Sequence, residues 1–133
     1  MFFFGILKCM KKYKILLVED DEFLHQLYFD LLQSVGYEVT GVKNGNDAYD
    51  QMAHHAWDLV LLDVMLPGMN GFTILSTLKE ENVTIAYPVV YLTNLDASEK
   101  DKHLLELATA YWIKSSLAPP EFLSHVQSML TPS

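Results

Sequence analysis

Short, nearly unbroken apolar runs alternate along this chain with longer stretches in which apolar residues recur every three or four positions. The runs cover residues 14–18, 37–40, 58–62, 88–92 and 111–113. Three of the five are almost wholly apolar, as strands covered on both faces of a parallel sheet must be, whereas 37–40 alternates like an edge strand. The intervening stretches predict helices over 22–35, 46–57, 72–80, 97–108 and 120–130. In the first, Phe23, Leu27, Leu31 and Val35 lie four apart and predict one apolar face, with Gly36 standing where a glycine ends a helix. The last opens at Pro119-Pro120, which a helix tolerates only in its first turn.

The order is therefore strand–helix, five times over. That predicts an α/β fold, a (βα)5 doubly wound parallel sheet of five strands joined by right-handed crossovers. Sheets of this kind place their sites beyond the carboxyl ends of the strands. The residues just past each run are Glu19, Asp20 and Asp21 after the first, Gly41 after the second, Asp63 after the third, Thr93 and Asn94 after the fourth, and Lys114 after the fifth.

Length and charge narrow the field. The 133 residues, 50% hydrophobic and 20% charged, suit one globular domain. All nine basic residues are lysines, and from Ile15 onward five of them face seventeen acids, a formal −12. So acidic a surface repels a phosphate backbone, and without arginine there is no bidentate fork for guanine; direct nucleic-acid binding is not expected. Cys9 stands alone and requires no oxidising compartment, and no apolar run nears the roughly 18 residues of a membrane span, so a cytoplasmic protein is expected. The first residues, Met-Phe-Phe-Phe-Gly-Ile-Leu, carry their lysines after the apolar stretch, the reverse of a secretory signal. Residues 1–12 are read as an extension, whether a loose tail, a local anchor or a start assigned too far upstream, and 13–131 as the domain.

Three or four carboxylates at one sheet edge repel each other unless a cation sits among them. With oxygen donors alone, a hard ion such as Mg²⁺ fits and zinc does not. An added lysine, a threonine hydroxyl and a central aspartate complete a set suited to phosphoryl transfer onto Asp63.

Val18-Glu-Asp-Asp21, Asp63-Val-Met-Leu-Pro-Gly-Met-Asn-Gly71, Leu92-Thr93 and Tyr111-Trp-Ile-Lys114 resemble the receiver domains of two-component response regulators, the chemotaxis-type fold. The resemblance runs from about Tyr13 to Leu130. It implies a flavodoxin-like strand order 2-1-3-4-5, Asp63 as phosphoacceptor, and Mg²⁺ held by Glu19, Asp20, Asp63 and the Met65 backbone carbonyl. It further implies Thr93 as the phosphate-binding hydroxyl, Lys114 as the site cation and Tyr111 as the aromatic member of a Thr93–Tyr111 switch. The implied donor is a histidine kinase or phosphotransfer protein. The implied output is a changed face, built from helix 97–108, the fifth strand and the last helix, that meets a downstream protein or a second, phosphorylated copy. The chain would then be a stand-alone signalling domain and not an enzyme.

Two positions depart from the family pattern. Ser115 follows Lys114 where proline is usual, and Asn94 follows Thr93 where alanine or glycine is common; Asn94 with the apolar Met65 predicts a slowly hydrolysed phosphate. The alternative function is a pseudo-receiver, the same fold used as a constitutive protein-interaction module. A dehalogenase-like phosphatase would need an acid at Met65, and a flavodoxin's first loop would not be Glu19-Asp20-Asp21. Acids 19–22 also suit the start of a helix, and the five histidines show no ligand spacing and are read as packing or surface residues.

Overall fold

The apolar runs form strands because β-branched and leucine side chains on both faces of a pleated backbone can be covered from both sides. In the computed structural model, which describes residues 12–94 and 105–130, these strands are β1 (Lys14–Val18), β2 (Glu38–Val42), β3 (Leu59–Asp63), β4 (Val89–Thr93) and β5 (Ala110–Ile113). All pair in parallel in the order β2-β1-β3-β4-β5, the doubly wound sheet expected. The helices are α1 (Glu22–Ser34), α2 (Gly45–His54), α3 (Gly71–Glu80) and α4 (Pro119–Leu130). Most of the helix expected over 97–108 lies outside the described residues, as does the N-terminal extension apart from Lys12; at 105–108 the Ala108 N–H closes a turn onto the Leu105 carbonyl.

Alternation along the central strands divides the core in two. Leu16, Val18, Val60, Leu62, Val89 and Tyr91 face α2 and α3 with Met52, Ile74 and Leu78. Ile15, Leu17, Leu59, Leu61, Val90 and Leu92 face α1 and α4 with Tyr28, Leu32, Phe122 and Val126. Tyr28 and Phe122 stack across these two helices at 4.5 Å. No helix among the described residues is long and apolar enough to cross a membrane.

Two expectations need correction. The apolar face of α1 is not Phe23–Leu27–Leu31–Val35: Phe23 is 74% and Val35 46% exposed, and the buried residues are His25, Tyr28 and Leu32. Steps of four overshoot the 3.6-residue turn, so a strict i+4 series winds off any one face, whereas the 3-and-4 spacing of 25, 28 and 32 holds to it. Strand β2 also runs on past 40, so Gly41 lies inside it, opposite Leu17. The helix ends obey local rules: Asp21, Asn44 and Asn70 accept from backbone N–H groups three residues on, and Gly36 closes α1 at φ +94°.

Candidate functional site

The carboxyl ends of β1, β3 and β4 deliver three polar residues into the molecule's interior. Glu19 is fully buried, and Asp63 and Thr93 are each 2% exposed. Between the acids lies Lys114 from the end of β5: its Nζ donates to Glu19 Oε1 at 2.7 Å and to Asp63 Oδ2 at 3.0 Å. The other Asp63 oxygen accepts the Met65 N–H at 3.1 Å, and Glu19 Oε2 accepts the Asp21 N–H at 3.1 Å. Asp20 is exposed at the mouth, and oxygens of Glu19, Asp20 and Asp63 come within 4.8 Å of one another.

The acidic run at 19–22 therefore divides by task. Glu19 and Asp20 turn into the pocket, while Asp21 caps α1 through the Leu24 N–H at 2.9 Å and Glu22 sits in its first turn, where the helix dipole favours negative charge.

The segment from Asp63 to Gly71 has a geometric logic. The Pro67 carbonyl accepts from the Gly45 N–H at 3.0 Å, tying the loop to the start of α2, and the Gly71 N–H returns to the Val64 carbonyl at 2.9 Å. A Cβ on Gly71 would stand 2.7 Å from the Asp63 carbonyl oxygen, so only glycine lets α3 begin against the backbone of the central aspartate.

Burial and the neighbouring Glu19 push the Asp63 carboxyl up to about 7, with Lys114 opposing the rise. Lys114 is held above its ordinary value: its bonds and charge contacts with Glu19 and Asp63 outweigh the opposing burial. One ammonium among three carboxylates leaves an excess of negative charge. The donors are all oxygens, so the residues present fit a hard divalent cation.

The remaining expected residues fall around this core. Thr93 ends β4, one residue beyond Leu92, the partner of Asp63. Tyr111 on β5 pairs in register with Tyr91 of β4 and is 41% exposed, two residues before the Ile113 that pairs with Thr93. The Met65 side chain is 67% exposed, and Asn94 is exposed beside Thr93. Where a proline is usual, Ser115 lies in a 3-10 turn, Lys114–Ser116, closed by the Leu117 N–H on the Lys114 carbonyl at 3.2 Å; among the described residues every peptide bond is trans.

Sequence reasoning missed His25. Its ring is 8% exposed, and Nδ1 lies 2.8 Å from the Glu19 carbonyl oxygen. The signal was available: His25 falls on the 25–28–32 stripe, where a polar ring must find a partner.

With this geometry in view, the comparisons with known proteins are specific. The model of the response regulator receiver domain matches residues 15–127, and the chain belongs to that family of two-component signalling domains. It is 28% identical over 116 residues, 87% of this chain and 94% of the relative, to the polar-differentiation response regulator DivK of Brucella anthropi. The BeF3-activated N-terminal receiver domain of RstA from Klebsiella pneumoniae is 32% identical and superposes with a TM-score of 0.77 over 90% of this chain and 99% of its own. The receiver domain of a sensor histidine kinase from Pseudomonas aeruginosa, with magnesium coordinated in its active-site cleft, is 25% identical with a TM-score of 0.77 over 90% and 98%.

Proposed function

We propose that this chain carries a phosphorylatable receiver domain, spanning 13–131, that takes a phosphoryl group onto Asp63 from a phosphohistidine of a histidine kinase or phosphotransfer protein. The observation that carries the reading is the Lys114 ammonium bridging Glu19 Oε1 and Asp63 Oδ2 beside the exposed carboxylate of Asp20. Mg²⁺, held by Glu19, Asp20, Asp63 and the Met65 carbonyl, would supply the positive charge that ionises Asp63 and offsets charge on the phosphoryl oxygens.

The ionised Asp63 oxygen attacks phosphorus; the P–N bond to the donor histidine breaks as the O–P bond forms, and the imidazole leaves with its electron pair. Lys114 exchanges its Asp63 contact for a phosphoryl oxygen, and the Thr93 hydroxyl donates to another. Thr93 moving toward the phosphoryl group would vacate space for the Tyr111 ring. The β5 face then changes shape for a downstream protein or a second phosphorylated copy. Such a domain signals in the cytoplasm, where phosphohistidine donors act.

Incubation with acetyl phosphate and Mg²⁺, read by intact mass, tests this. A gain of one phosphate that is absent in Asp63→Asn supports the proposal. No gain in the parent overturns it in favour of a constitutive interaction module. The exposed Met65 and Asn94 side chains beside the acceptor predict decay of the label over minutes or longer; loss within seconds would count against their shielding role.

A further inference from the structure

We propose that His25 is a positioning residue for the metal-binding turn, fixing the Glu19 backbone from α1, and that Gly41 is a glycine because the His25 ring occupies the place of its side chain. The inference rests on the reading of Glu19 and Asp20 as metal ligands.

The Glu19 peptide groups are tied on two sides. Its N–H donates to the Val42 carbonyl of β2 at 3.2 Å, and its carbonyl lies 2.8 Å from His25 Nδ1. A carbonyl oxygen only accepts, so this bond requires a proton on Nδ1. The His25 N–H in turn donates to the Asp21 carbonyl at 2.8 Å. The three-residue turn that presents Glu19 and Asp20 is thus pinned at its first residue by a side chain and at its last by the backbone of the same histidine.

The ring's far side explains Gly41. A Cβ there would fall 2.5 Å from His25 Nε2 and 2.8 Å from Cε1, inside any real contact. Gly41 has no left-handed backbone to justify it: the positive-φ glycines are Gly36 and Gly68. What Gly41 supplies is space. Phe29 stacks on the ring at 6.2 Å, so the imidazole is held among Phe29, Gly41 and the Glu19 carbonyl. An edge strand with no ligand of its own thereby helps to aim a ligand of the neighbouring strand. Groups that orient ligands from behind typically contribute about 10–100-fold in metal affinity.

The test is a Mg²⁺ titration by calorimetry on the full chain and its variants, with thermal midpoints recorded without Mg²⁺ and the imidazole nitrogen shifts of His25 read by NMR. His25→Leu should weaken Mg²⁺ about tenfold. His25→Asn, whose amide nitrogen stands near the place of Nδ1, should recover most of that loss. Gly41→Ala should weaken Mg²⁺ in the parent and have no further effect on His25→Asn, whose short side chain does not reach Gly41. An Nε2–H tautomer in the parent, or equal Mg²⁺ affinities in the parent, His25→Leu and His25→Asn, would overturn the proposal while leaving the site itself intact. A parent that takes no Mg²⁺ would remove the metal site and this inference together. If His25→Leu fails to fold, the His25→Asn and Gly41→Ala pair decides alone: additive losses overturn the proposal.

Discussion

The three central strands and the two edge strands serve the same pocket by different means. β1, β3 and β4 are buried nearly along their whole lengths, and the residues at their carboxyl ends, Glu19, Asp63 and Thr93, are sealed in with them. β2 and β5 are half-exposed. They bring Lys114, whose long stem reaches inward to both acids, Tyr111 at 41% exposure, and Gly41, whose missing side chain leaves room for the His25 ring. The two acids that Lys114 bridges stand at the ends of buried strands, and the lysine that bridges them reaches in from beyond the half-exposed edge.

The sharpest way to break this contrast is to truncate one residue from each class. Leu61→Ala, in the fully buried centre of β3, should cost about 3 kcal/mol in urea unfolding, because a close-packed core cannot collapse around the void. Tyr111→Ala on β5 should cost about 1 kcal/mol or less. Equal losses would mean that the edge is as fixed as the centre.

Lys114→Met comes next. It keeps the stem and removes the charge, leaving Glu19 and Asp63 facing each other in a buried site. Without metal, stability should fall by about 2 kcal/mol at pH 8, less than for an inescapable buried charge because a carboxyl can take up a proton. At pH 5, where Asp63 already holds that proton, the loss should be smaller. A loss independent of pH would show that the lysine matters for packing alone.

The smallest effect is the most diagnostic. Asp63 rises from its ordinary 3.8 to about 7 in the folded chain, so its contribution to stability is present below pH 4 and lost as pH climbs through 7. Mg²⁺ bound as proposed would compete with that proton. Its affinity should therefore rise about thirtyfold between pH 5.5 and 8, with proton release on binding that fades above pH 8. Calorimetry in two buffers of different ionisation enthalpy would measure this; an affinity flat across the range would place the proton elsewhere.

The same contrast between centre and edge decided how much could be read from the sequence. β1, β3 and β4 were legible because unbroken apolar runs have few other uses in a chain this short, and the acids beyond them followed from the architecture. β2 was drawn too short because Gly41 reads as a strand breaker, and its real role depends on a ring from another element. The face of α1 was misplaced by following steps of four alone, and that misreading hid His25. Tyr111 was found through a resemblance, and Lys114 was placed beyond the fifth run by the architecture, although nothing in a lone lysine after a short strand announces the two buried carboxylates 51 and 95 residues away that it bonds.

The stretch from Asp63 to Gly71 also sets a length. The chain leaves the sheet at Asp63, is tethered at Pro67 to the second helix, and comes back through the Gly71 N–H to the Val64 carbonyl, one residue past its start. Adding or deleting one residue in that circuit would leave one of its two anchoring bonds unmade, whatever the side chains. The place of the Asp63 carboxylate is thus counted in peptide units, and mutations that change the count should be harsher than any that change the letters between.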